Sequence, residues 1–215
     1  MKSHEFVEEL ERSNQEFLSR VDGGDESSGR PDILALLRIA LQNELEASEL
    51  AAHWMPLTPE LDVKIGLARQ VGDEAKHYSL LSKRYADLGG NLEAFDPRTG
   101  GYTPLFHFLV GLKTSVERLA AGQFTREALA QRRNDMFVRY LREAGDAETA
   151  ELYDTIIQPD EAHHQDLGRS MLLKYATSEG QQQAARQASR RTLEIAEELR
   201  ERAIAKTGVY QIPGC

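Results

Sequence analysis

Two short segments of this chain, Asp73-Glu74-Ala75-Lys76-His77 and Asp160-Glu161-Ala162-His163-His164, are near copies, and each sets a glutamate and a histidine three positions apart. On a helix that spacing puts both side chains on one face. Carboxylate oxygen and imidazole nitrogen are the donors of choice for first-row divalent metals held without thiolates. A single Glu-x-x-His is a weak signal, but two copies, each preceded by aspartate, form a specific one.

Such a pair needs partners. In di-metal carboxylate bundles two helices each contribute Glu-x-x-His and the other two contribute one glutamate each, all pointing inward. The helix before the first motif offers Glu44, Glu46 and Glu49. Folding it back about a turn near Leu57 sets Glu74 opposite about residue 41, within one turn of Glu44. Glu44 also shares its stripe with Leu37, Ala40, Leu41, Ala47 and Ala51, whereas Glu46 lines up with Gln42, Asn43 and Glu49. A lone carboxylate on an apolar face is costly unless something such as a metal neutralises it. The same folding argument about Gly145 sets Glu161 opposite about residue 129 and favours Glu127, with Glu117 the second choice if that helix breaks at Gly122.

In the second motif, Asp160 to His163 has the same spacing as Glu161 to His164, and alignment with the first motif selects Glu161 and His164. Asp73 and Asp160 then stand one position before a donor, where a carboxylate can accept the other ring N–H of a coordinating histidine and fix its tautomer. Four glutamates and two neutral histidines balance two divalent ions. His53, His107 and His163 read as ordinary surface or core histidines, with His163 the first candidate for an exception. Phe106, Phe108, Leu109 and Leu112 read as core, although an apolar pocket beside a metal site would look the same in sequence.

Glycine and proline punctuation spaces the elements that must position these groups. A polar helix spans about Ser3 to Val21, and the Gly23–Gly29 stretch behind it reads as a linker, so residues 1–30 form a peripheral extension. A helix from Pro31-Asp32 to about Trp54 and another from about Glu60 to Leu88 form the first hairpin, separated by Pro56 and the Thr58-Pro59-Glu60 cap signal. A long loop over 91–103 leads to a helix from about Pro104 to Ala144, and a tight Gly145-Asp146 turn to one from about Ala147 to Thr177. Residues 31–177 form the di-metal bundle, and 178–215 a Glu- and Arg-rich helix with a tail. Pro159 cannot donate to the carbonyl of Thr155, which predicts a kink or local widening beside Glu161.

Composition limits the partners. With 215 residues, 40% of them hydrophobic, the chain can bury one substantial core. A net charge of −9 and a pI near 5.2 argue against nucleic acid or an anionic membrane as partner. The one cysteine, Cys215, excludes an internal disulfide or a Cys-x-x-Cys metal knuckle. No stretch approaches a membrane span, and a soluble cytoplasmic protein is the simplest expectation.

From Asn43-Glu44-Leu45-Glu46-Ala47-Ser48-Glu49-Leu50 through both Asp-Glu-x-x-His motifs, Arg126-Glu127-Ala128 and Gly145-Asp146, the sequence resembles the ferritin-like di-iron carboxylate superfamily. Within it, the text is most similar to ferritin-like proteins and phenylacetyl-CoA-oxygenase-like subunits. The resemblance implies an all-α fold: an antiparallel four-helix bundle with a long crossover between its second and third helices, plus extra N- and C-terminal helices. It implies Glu44, Glu74, His77, Glu127, Glu161 and His164 as ligands of two irons per chain, or of a manganese/iron pair. It further implies O₂ activation on an unidentified small organic substrate, with electrons from a separate reductase, in a homodimer. Unlike rubrerythrins the chain lacks a cysteine-rich iron domain, and unlike ferritins it carries a second Glu-x-x-His, which points away from simple storage. A ferroxidase or metal-scavenging protein is the alternative, and a structural oxygenase subunit would be expected to have lost ligands.

Overall fold

In the computed structural model, residues 1–21, 32–208 and 210–214 are described, and among them the regular structure is entirely helical. The linker expected over 23–29, the Pro31 start of its following helix and Cys215 lie outside the described residues. Helix α1 is Ser3–Val21, α2 is Ile33–Leu57, α3 is Leu61–Asp87 and α4 is the short Pro104–Val110. Helix α5 joins Ser115–Leu119, a π-helical stretch Ala120–Arg126, and Glu127–Glu143 into one rod. Helix α6 likewise joins Ala147–Leu152, a π turn Tyr153–Ile157, and Gln158–Tyr175, and α7 is Glu179–Thr207.

Local chemistry fixes the helix ends. Asp32 caps α2 by accepting from the Leu34 N–H, and Asp146 caps α6 by accepting from Thr149. Thr114 with Glu117, and Ser178 with Gln181, form reciprocal capping boxes at the starts of α5 and α7. The α5–α6 turn needs the left-handed backbone that Gly145 supplies at φ +85°.

The helix expected from Pro104 to Ala144 is therefore two helices, and the break falls at 111–114 rather than at Gly122. Gly111 closes α4, and the Thr114 box starts a new helix. At Gly122 the rod widens instead of breaking, and Trp54 lies where a Cβ would be, 2.6 Å from that position.

Paired side chains give the directions of the long rods. Arg38 meets Tyr85, Glu44 meets His77, and Ser48 meets the Val71 carbonyl, so α2 and α3 are antiparallel. Gln131 meets Gln165, Asp135 meets Gln158, and Arg142 meets Asp154, so α5 and α6 are antiparallel. Asp62 with Lys174, and Asp73 with His164, make α3 and α6 antiparallel as well. Helices α3 and α5 thus run the same way, and the connection that carries α4 must return along the rods. Glu46 pins it, accepting from the Thr103 N–H at 2.9 Å and its hydroxyl at 2.5 Å.

Helix α1 is not peripheral. Phe6, Val7, Leu10 and Leu18 are buried in one core with Trp54, Leu67, Phe124 and Leu172, and the core extends to Ala185, Leu193 and Ala196 of α7. Buried Asn14 donates to Thr125 and accepts from Ser189, tying α1 to α5 and α7. A second apolar cluster holds Leu37, Leu41, Leu81, Tyr85, Phe137, Tyr153 and Ile157. Between the two clusters, α2, α3, α5 and α6 enclose a layer of buried acidic and histidine side chains.

Candidate metal centre

Helix α3 buries Val63, Leu67, Gln70, Glu74, His77, Leu81 and Tyr85, a run at spacings of three and four that marks one face. Its middle is polar, and Glu74 and His77 are only 1% and 0% exposed. Helix α6 places Glu161 and His164 opposite, at 4% and 1%. Glu44 of α2 and Glu127 of α5 complete the layer, both buried. These side chains form two groups whose donor atoms lie within 4.8 Å of one another: Glu44, Glu74, His77 and Glu161, and Glu74, Glu127, Glu161 and His164. Either group could hold a metal ion, and Glu74 and Glu161 belong to both.

All six residues singled out as ligands are therefore brought together. Glu117 is not among them: its carboxylate is spent on the Thr114 cap. Glu46 ties down the connection, and Glu49 belongs to neither group.

Widened turns precede Glu127 on α5 and the Glu161–His164 pair on α6. The Glu127 N–H bonds to the Gly122 carbonyl, and the Gln158 N–H to the Tyr153 carbonyl, each an i to i−5 link. One extra residue in a turn rotates everything after it by about 100°. Pro159, with no N–H to give, sits immediately after the second π turn.

The histidines are oriented crosswise. His77 of α3 points Nε2 at Asp160 of α6 (3.1 Å), and His164 of α6 points Nε2 at Asp73 of α3 (3.2 Å). Each Nδ1 then faces the glutamates: that of His77 is 3.3 Å from both Glu44 and Glu74, and that of His164 is 3.5 Å from Glu74 and 3.8 Å from Glu161. A ring that donates Nε2–H to a carboxylate presents its Nδ1 lone pair to a cation. Lys76 and Arg69 brace the two aspartates from outside, and Arg69 also reaches His163 at 2.8 Å.

Sequence reasoning misses several residues of this layer. Gln70 donates to Glu74 (3.1 Å) and to Glu127 (2.7 Å), and accepts from Gln123 (2.9 Å). Its place on the apolar stripe four residues before Glu74 is the signal that could have found it. Buried Arg126 stands 3.6 Å from Glu127. The buried Tyr153 hydroxyl has no hydrogen-bond partner among the described residues. No local pattern announces it.

The electrostatics are those of a crowded anion cluster. Burial pushes the Glu44 carboxyl up to about 7 and, with the charge of Glu74, that of Glu161 up to about 8. Burial and the Glu161 charge also raise Glu127. In Glu74, burial is outweighed by the His77 hydrogen bond and nearby positive charge, and its carboxyl is held down at about 2. In His77, burial is outweighed by Glu44 and Glu74, which push the imidazole up to about 12. Burial and the charges of Glu44 and Glu161 raise the Tyr153 phenol. Without a cation, the cluster keeps protons to limit its own repulsion.

No protein-family model matches this chain, and neither curated proteins nor solved structures yield a match. The donor set itself is the test of fit for metal. Glu161 Oε2 and His164 Nδ1 are buried with no hydrogen-bond partner among the described residues, although each faces the cluster. Orphaned acceptors of that kind cost about 1–3 kcal/mol apiece. A cation between them removes that cost, and oxygen and nitrogen donors suit iron, manganese or zinc. Among the described residues, no helix is long and apolar enough to cross a membrane.

Proposed function

We propose that this chain is a ferritin-like di-metal carboxylate protein that uses O₂ to oxidise or oxygenate a small organic substrate. The observation that carries this reading is the pair of overlapping donor groups sharing Glu74 and Glu161. The antiparallel pairs of rods and the returning connection support the ferritin-like part of it. Two iron ions, or a manganese/iron pair, would be held by Glu44, Glu74, His77, Glu127, Glu161 and His164, and would supply the redox chemistry of O₂ reduction.

The chain's own residues do the rest. Four glutamates and two neutral histidines offset the charge of two divalent ions, so the loaded layer is neutral between two apolar clusters. Asp73 and Asp160 hold the histidine rings in one tautomer. Gln70 orients Glu74 and Glu127 through two N–H donors. The Tyr153 phenol keeps its proton beside Glu44 and Glu161. The apolar clusters exclude bulk water, which strengthens every charge interaction inside. Electrons come from a separate reductase, since Cys215 is the chain's one cysteine and no thiolate electron-transfer cluster can be built from it.

The test is anaerobic loading with Fe(II), then addition of O₂ with an oxygen electrode as readout. O₂ uptake limited by two irons per chain, restored on re-reduction and absent from Glu74→Ala, supports the reading. Absence of uptake overturns it. Continued uptake with iron accumulating far beyond two per chain would instead assign storage.

A further inference from the structure

A cavity of about 470 Å³ lies on the outer side of α2, away from the metal centre, and none of the six proposed metal ligands lines it. Its walls come from α2, the 95–105 connection, α5, α7 and the C-terminal tail. Ile39, Phe95, Leu105, Leu199 and Ile212 make it largely apolar. Its four charged lining residues, Arg38, Arg133, Arg200 and Lys206, are all cationic. That bias is notable in a chain with 35 acidic and 26 basic residues.

The walls are fastened. Asn43 donates to the Pro213 carbonyl (3.0 Å), the Gly214 N–H donates to Asn134 (2.9 Å), and Arg133 donates to the Gly214 and Ala196 carbonyls. Glu197 supports Arg200 at 2.9 Å and lies 3.8 Å from Arg133. Arg38 is held by the Tyr85 hydroxyl (2.8 Å), with its guanidinium over the rings of Tyr85 and Phe95. A pocket of this size with an apolar body and a few convergent polar groups is what a small-molecule site requires.

We propose that this cavity is a second binding site, for an organic anion with a hydrocarbon body: an aliphatic carboxylate or phosphate monoester. At roughly 30 Å³ for each methylene-sized group, the volume holds about fifteen non-hydrogen atoms. The chain of such a ligand lies against Ile39, Leu105, Leu199 and Ile212. Its head meets Arg38 and Lys206 at the exposed edge, where a carboxylate or phosphate accepts charge-assisted hydrogen bonds. The site does not depend on metal.

Titration calorimetry with decanoate, decyl phosphate, decanol and decyltrimethylammonium tests this on the full chain, both chelated and metal-loaded. The expected result is saturable binding of one anion per chain, unchanged by metal, with the tighter of the two anions identifying the head group. The Arg38→Gln/Lys206→Gln double variant should weaken it about tenfold or more. Ala203→Trp, which fills the cavity, should abolish it while circular dichroism shows a folded protein. No saturable anion binding, decanol binding as tightly as decanoate, or wild-type affinity in the double variant would each overturn the proposal.

Discussion

At Gly168, α6 packs against the backbone of the π stretch of α5, and replacing it by alanine tests how Glu161 and His164 are delivered to Glu127. A Cβ at position 168 would lie 2.7 Å from the Phe124 backbone nitrogen and 2.8 Å from the Gln123 carbonyl carbon. Backbone cannot step aside as a side-chain tip can, so the two rods must part. Forcing a methyl group into a packed core costs about 3 kcal/mol at the upper end of the usual range, against about 1 kcal/mol gained from alanine's helix propensity. The net loss is about 2 kcal/mol, or about 4–8 °C in Tm for a domain of this size. Gly66→Ala is the control. Its Cβ would also come within 2.4 Å of a neighbour, but that neighbour is the end of the Leu167 side chain. It should fall within about 1 kcal/mol of wild type. Thermal unfolding of both variants by circular dichroism, with metal affinity measured alongside, reads the difference. A Gly168→Ala protein as stable as Gly66→Ala, with unchanged metal affinity, would refute the close-approach argument.

The protonation pattern sets the sign of a pH effect. In Glu44 and Glu161 the folded-state values of about 7 and 8 stand above the ordinary 4.5, and His77 at about 12 stands above 6.5, so the folded, metal-free protein binds more protons than the unfolded chain. Its stability must therefore fall as pH rises from about 5 to 8, at about 1.4 kcal/mol per pH unit for each fully differential proton. Glu74, held near 2, contributes stability lost only below 4.5 and does not enter this window. Chelated protein should lose Tm across that range, metal-loaded protein should hold it, and loading in weak buffer should release protons; a chelated Tm that rises with pH would contradict this. Asp73→Asn and Asp160→Asn should each lower metal affinity about 10- to 100-fold by competitive chelator titration, with little change in overall fold. Unchanged affinity in both would remove the crosswise orientation from the account.

Much of the centre is legible in the sequence because it is periodic. The repeated Glu-x-x-His, the apolar stripe around Glu44 and the tight Gly145 turn bring the same six side chains to mind that the fold brings together. Register is less legible. Folding about Leu57 sets Glu74 near residue 41, whereas His77 is the residue that meets Glu44, because α2 runs through Pro56 to Leu57 and α3 starts only at Leu61, which moves the centre of the turn along the chain. Glu117 illustrates a second limit: Thr114-x-x-Glu117 is a capping-box pattern, and its local hydrogen bonds outweigh any pull toward the core. Of the two π turns, the one before Gln158 is signalled by Pro159, which cannot continue the i to i−4 ladder, whereas the stretch Ala120–Arg126 carries no such marker. Helix α1 reads as peripheral because its polar residues outnumber its apolar ones, yet Phe6, Val7, Leu10, Asn14 and Leu18 share a buried face.

Elemental analysis of the purified protein after equilibration with Fe(II) under anaerobic conditions bears most directly on the metal centre. Two ions per chain in the wild type and in Glu117→Ala, with one or none in Glu74→Ala, is the expected result, because Glu74 belongs to both donor groups and Glu117 to neither. Equal metal content in Glu74→Ala and wild type would contradict the account.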